Sequence, residues 1–284
     1  MSELCSELSL AAGEQLAATA ATAERWLLLE VPGRWPRDVA DEGGLPGAAR
    51  GAVAAWSAAS ESSRVQFIRR PGRTPGRLLA FVVSSTEASG AVRRIELECH
   101  EQLADLDLDT AGEEVDASLV LVCGHGSRDR CCALFGAPVY TALAERLGEE
   151  EVWISSHQGG HRFAANVLVL PAGLQFGRVR PEEAPLVAAR ALAGRIELGR
   201  YRGRTCYPGA VQAAEAAVRR EAGLEGLRDL ELQSVEDGFV RFRARNDAEY
   251  VVSVEEAEGP SVPASCGESA KPQRHLLAAS VTQL

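Results

Sequence analysis

The sequence predicts an α/β fold with a small α+β appendage at its C-terminus. Short apolar runs, "RWLLLEV" (25–31), "ASLVLVC" (117–123) and "EVWISS" (151–156), have the length and flanks of buried strands. Between and after them lie helix-like stretches, in the order strand, helix, strand, strand, strand, helix. At 284 residues and 46% apolar content the chain is long enough for two domains and a substantial core.

Taken in order, residues 8–22 are alanine-rich and predicted helical, and "RWLLLEV" is the first strand. After a proline- and glycine-rich connection, "AARGAVAAWSAAS" (48–60) reads as a helix, then "VQFIRR" (65–70), "RLLAFVVSS" (77–85) and "VRRIELEC" (92–99) as strands. The acidic stretch 101–116 reads as a linker. "ASLVLVC" runs into "GHGSRDRCC", followed by a helix from Pro138 to Leu147 closed by Gly148. "EVWISS" precedes a hairpin, "NVLVLP" (166–171) with "QFGRV" (175–179), and a helix over 181–196 with Pro181 and Glu182 at its start. Beyond Cys206, a helix (210–222) and the strand-like "DLELQSV", "FVRFRAR" and "AEYVVSV" suffice for the appendage. The expected division is an N-terminal α/β unit over 1–110, a second α/β domain over 117–200 and an α+β domain over 206–284.

The strands ending at Cys123 and Ser156 are expected to be parallel neighbours joined by a right-handed crossover. Their C-terminal ends then lie side by side, and the loops 123–132 and 157–161 emerge at the same edge, the usual ligand position in α/β sheets. The second loop, in "SSHQGGHRFAAN", holds two of the five histidines around a glycine pair that disfavours a helix. Cys123, Cys131 or Cys132, His157 and His161 would make a two-thiolate, two-imidazole set suited to zinc or an iron-sulphur cluster. Eight residues separate Cys123 from Cys132 and His157 comes 25 positions later, a wider bite than a zinc finger's that suits two irons better than one ion.

Composition excludes other classes. A net charge of -10 argues against sequence-independent nucleic-acid binding. No run of about 18 apolar residues suggests a membrane span, and the acidic "MSELCSEL" is unlike a signal peptide, so a soluble cytosolic protein is expected. The seven cysteines include no C-x-x-C pair, which weakens a dithiol oxidoreductase reading. Cys5, Cys99, Cys206 and Cys266 look scattered. "GHGSRD" lacks the third glycine of a dinucleotide fingerprint.

"CGHGSRDRCCALFGAPVYTAL" with "WISSHQGGHRFAANVLVLPAGLQFGRV" closely resembles the sucrase/ferredoxin-like family, over roughly residues 20–205. The resemblance implies a thioredoxin-like ferredoxin fold and a non-Rieske [2Fe-2S] cluster held by two cysteines and the two histidines of an H-x-x-x-H motif. Carried over residue by residue, the ligands are Cys123, Cys132, His157 and His161, with Cys131 a neighbour. It implies no glycosidase, and no carboxylate pair in a motif setting argues for one. The expected function is a soluble electron carrier, rather than an enzyme in its own right, that works with a redox partner protein. The alternative is a zinc-stabilised binding or scaffold protein using the same four ligands; a thiol enzyme using Cys131 or Cys132 is a weaker third.

Three further expectations concern neighbours. His125 is a candidate hydrogen-bond donor to a sulphide, with a structural role and a replacement-ligand role both open, Arg128 and Asp129 a candidate pair that fixes the loop, and His100 and His275 ordinary surface or core residues. Independently of the family, residues 25–99 align with the cluster domain as a ligand-free thioredoxin-like copy, with Val31 at the position of Cys123, Arg70 at that of His157 and Thr74 at that of His161. Its loops would then cover one side of the cluster.

Overall fold

The computed structural model describes residues 4–39, 44–148 and 150–284. Helix α1 (Cys5–Ala11) precedes β1 (Arg25–Glu30), α2 (Gly47–Ala58), β2 (Ser63–Arg69), β3 (Leu78–Ser85) and β4 (Gly90–Leu97). A short edge strand β5 (Glu113–Val115) leads to β6 (Leu119–Cys123), α3 (Arg130–Leu147), β7 (Val152–Ser155), β8 (Val167–Leu170), β9 (Leu174–Phe176), α4 (Ala184–Leu192) and β10 (Tyr201–Arg204). These ten strands form one mixed sheet in the order β10-β9-β8-β6-β7-β2-β1-β3-β4-β5. After α5 (Gly209–Ala222), strands β11 (Leu230–Glu236), β12 (Phe239–Ala244), β13 (Glu249–Val262) and β14 (Lys271–Gln283) make a separate antiparallel sheet.

The continuous apolar runs are explained by burial of both faces. Leu27, Leu29, Val120 and Val122 share one core with Val53, Trp56, Val139 and Leu143 of the helices α2 and α3. Trp26, Leu28, Leu119 and Leu121 share another with Phe81, Trp153 and Leu168 on the opposite face. Strands β6 and β7 are parallel neighbours, with Cys123 opposite Ser155.

Two halves of the sheet have the same strand order and directions. In β4-β3-β1-β2, β1 is parallel to β2 and antiparallel to β3; in β9-β8-β6-β7, β6 is parallel to β7 and antiparallel to β8. Ladder ends fix the equivalence. Glu30 faces Ile68 as Cys123 faces Ser155, and Leu29 faces Ala80 as Val122 faces Val167. The halves join through an antiparallel contact in which Ile68 pairs with Ser155, its own equivalent. By this register Glu30, not Val31, occupies the position of Cys123, because side chains alternate faces and Val31 belongs to the helix-side core. Arg70 lies two residues past Ile68 as His157 lies two past Ser155.

Three local expectations are corrected. The N-terminal helix ends at Ala11, and residues 14–24 form an irregular segment with a turn at Ala17 and Ala18, anchored where Thr19 and Ala23 donate their N–H groups to the carbonyls of Arg202 and Thr205. Helix α3 starts eight residues before Pro138, because Asp129 caps it by accepting the Cys131 N–H at 2.8 Å. The acidic stretch 101–116 is no simple linker: it contains a 3-10 turn (His100–Asp105) and β5, whose Glu113 and Glu114 sit opposite Arg94 and Arg93 of β4. The last strand, β14, has too little periodicity to be foreseen and is fixed by its long pairing with β13. Among the described residues no helix is long and apolar enough to cross a membrane.

Candidate metal centre

Cys123 is the last residue of β6, and Cys132 lies in the first turn of α3; both are at most 1% exposed. The helix approaches the strand end through Gly136, where a Cβ would run into the Cys123 carbonyl. Ligand atoms of Cys123, Cys132 and His157 lie within 4.8 Å of one another. The fourth residue, His161, stacks on His157 with ring centroids 4.4 Å apart and planes at 27°. Nδ1 of each histidine is buried without a hydrogen-bond partner. Two orphaned imidazole nitrogens beside a dithiol are costly in an apolar setting and are the arrangement a soft metal centre satisfies.

The thiols are electrostatically unequal. The hydrogen bond from Cys132, with help from His157, holds the Cys123 thiol well below its usual range despite burial. That same hydrogen bond, with burial and the Cys123 charge, pushes Cys132 well above it. Burial, with His157 adding to it, pushes the His161 imidazole down to about 4. His161 is therefore neutral, the state that ligates a metal, over the whole physiological range.

The histidine loop is held by its backbone. His157 donates its N–H to Nδ1 of His125 at 3.2 Å, and its carbonyl accepts from Gln66 at 3.2 Å. The Gly160 carbonyl accepts from Asn166 at 3.0 Å, and that of Gly159 from Arg202 at 3.0 Å. Gly160 has a φ of +69° and a Cβ there would meet Arg202 Nη2 at 2.7 Å and Phe163 at 2.8 Å, so glycine is required on two counts. Arg202 is 2% exposed and also donates to Asn166 Oδ1 at 2.8 Å and to Thr19. Burial pulls its guanidinium down to about 9, and the nearby Cys123 and Cys132 oppose that shift.

Two of the neighbour expectations change. His125 has no nitrogen left for a sulphide: Nε2 is bonded to the Pro36 carbonyl at 2.7 Å while Nδ1 accepts from His157, so it is a neutral strut. Arg128 pairs with Asp38 at 3.6 Å rather than with Asp129, the helix cap. Trp35, 5.7 Å from the His125 ring, and Pro36 bring the β1–α2 connection of the first half over the 124–128 loop. His100 is tied to the Glu30 carbonyl at 2.9 Å, and His275 is a buried residue of β14. Arg202, Gln66 and Asn166 were missed by sequence reasoning. The only hint was polar or charged character inside apolar strands, as in "VQFIRR" and "RYRGR".

The scaffold is an α/β domain that carries a candidate metal-ligating set, two thiols and two imidazoles, at one sheet edge. The sucrase/ferredoxin-like family matches residues 16–203, and the chain belongs to that family. Its main domain is the mixed ten-stranded α/β domain, beside a small α+β C-terminal unit. Similar curated proteins are named altered inheritance of mitochondria protein 32. That of Debaryomyces hansenii is 34% identical over 34% of this chain and 39% of its own length, and that of Meyerozyma guilliermondii 30% identical over 38% and 42%. The chain thus spans about two-fifths of these relatives. Among solved structures, a thioredoxin-like [2Fe-2S] ferredoxin from Aquifex aeolicus is 20% identical, covering 34% of this chain and 98% of that one, with a TM-score of 0.28.

Proposed function

We propose that the protein is an electron carrier that holds a [2Fe-2S] cluster through Cys123, Cys132, His157 and His161. The observation that carries this is the pair of buried, unpartnered histidine Nδ1 atoms beside the two buried thiols. When bound, such a cluster takes up and releases one electron, and two neutral ligands in place of two thiolates raise its potential. The residues of the chain bury the cysteine side, set the loop through His125, Gln66 and Asn166, and place the Arg202 cation where it offsets thiolate charge. His157 and His161 are half-buried, so the histidine side is the port for a redox partner protein, with the first half covering the loop beyond Cys123. No nucleic-acid or membrane partner is part of this reading. All seven cysteines are free thiols, which suits a reducing compartment such as the cytosol.

Anaerobic purification tests it. A brown protein with visible absorption and equal iron and inorganic sulphide, about two of each per chain, is the expected result. A colourless protein with zinc in the same four-residue site would replace this reading with that of a zinc-stabilised scaffold.

A further inference from the structure

Four residues that look scattered in the sequence meet at the N-terminus of α3. Cys5 comes from the start of α1, Asp129 and Cys131 from the cap and first turn of α3, and Cys266 from the β13–β14 connection. We propose that Cys5, Cys131, Cys266 and the Asp129 carboxylate form a second metal site, which takes one zinc ion and is separate from the cluster ligands.

The spacing is that of a single tetrahedral centre. The three Sγ atoms are 3.5 Å (Cys5 to Cys131), 3.3 Å (Cys131 to Cys266) and 3.7 Å (Cys266 to Cys5) apart. Zinc-thiolate bonds of about 2.3 Å make the edge of such a tetrahedron about 3.8 Å. Asp129 closes the set, its two oxygens 3.8 and 3.9 Å from Cys5 Sγ. All four ligand atoms lie within 4.8 Å of one another.

Charge points the same way. Asp129 is 4% exposed. Its carboxylate accepts the N–H groups of Cys266 and Cys131 at 2.8 Å each and the Ser265 hydroxyl at 2.7 Å. Ser6 donates to Cys131 Sγ at 3.2 Å, and Cys5 Sγ lies 3.5 Å from it. Three thiols gathered on a buried carboxylate are a set whose charge, once the thiols ligate, a divalent cation neutralises. Three sulphurs and one oxygen favour zinc over calcium or magnesium, and a complete protein ligand set marks a structural rather than a catalytic ion. On binding, each ligating thiol loses its proton to solvent. The ion then ties α1 and the β13–β14 connection to α3, one residue from Cys132. Cys266 is half-exposed and provides the way in.

Zinc and iron measured on the same sample of full-length protein, purified anaerobically under reductant from zinc-supplemented medium, decide the matter. The expected result is one zinc per chain in addition to any cluster iron. Cys5→Ser and Cys266→Ser should each lower zinc retention at least about tenfold and leave iron and the visible spectrum unchanged. Cys132→Ser should do the reverse. As a second measurement, cobalt added to reduced Cys132→Ser protein should give a thiolate-to-cobalt absorption band that Cys132→Ser/Cys266→Ser lacks. Reduced wild-type protein that takes up no zinc, or Cys5→Ser and Cys266→Ser proteins that keep it, overturns the proposal, whatever the state of the cluster.

Discussion

The two halves of the ten-stranded sheet place different chemistry on one scaffold. At the end of β6 stands Cys123, with His157 two residues past the end of β7. At the equivalent points stand Glu30 and Arg70, an ion pair with side chains 2% and 3% exposed and a closest separation of 3.8 Å. Glu30 also accepts the Leu79 N–H at 3.0 Å, and Arg70 lies over the Trp153 ring and reaches Glu150. The difference teaches that one strand-end position can bury either a pair of opposite charges or a set of metal-ligating side chains. The carboxylate and the guanidinium are of opposite charge and pair directly, although Arg70 Nε keeps no hydrogen-bond partner, whereas two thiols and two imidazoles leave the Nδ1 atoms of His157 and His161 unpartnered. Only the half whose unpartnered atoms are imidazole nitrogens beside thiols offers metal ligands, and it is the one proposed to bind metal.

Breaking each half at its central pair sharpens that contrast. The largest effect is expected from Cys123→Ser or Cys132→Ser, which should abolish or severely perturb the visible spectrum, while Cys131→Ser leaves it nearly intact. A spectrum lost with Cys131→Ser and kept with Cys132→Ser would reverse the ligand assignment. In the other half, Arg70→Ala strands the buried Glu30 carboxylate and should cost about 3–5 kcal/mol of stability in urea unfolding. The double change Glu30→Met/Arg70→Met should cost far less, since it removes both charges. Neither should alter the spectrum.

Smaller effects test the surroundings of the metal centre. Arg202→Met removes a buried cation and should lower the reduction potential measured by protein-film voltammetry, as should His157→Cys, which adds a thiolate charge. An unchanged potential in Arg202→Met would remove Arg202 from the electrostatics of the site. The smallest effect concerns cluster-free protein. There His161, pushed down to about 4, stays neutral while the unfolded chain protonates near its ordinary value of about 6.5. The unfolded chain then binds the extra proton between those values, so folding stability should fall as pH drops from about 6.5 towards 4. Urea midpoints across that range check the sign, and in His161→Gln the slope should diminish.

The sequence by itself carried the strands, the two loops and the four residues proposed as cluster ligands. Apolar run length reports burial directly, and the ligands come in two local motifs. Only the tertiary structure decided what depends on distant segments meeting. It put Glu30 rather than Val31 at the Cys123-equivalent position, because ladder register fixes which face a side chain takes. It turned His125 from a candidate donor into a strut, because the Pro36 carbonyl arrives from the other half. It made Arg202 part of the site from 36 residues beyond Asn166, its partner. It also gathered Cys5, Cys131 and Cys266, two of which lie 261 residues apart, around Asp129. No local pattern encodes such a convergence, since three packed elements must each bring one thiol to the same point.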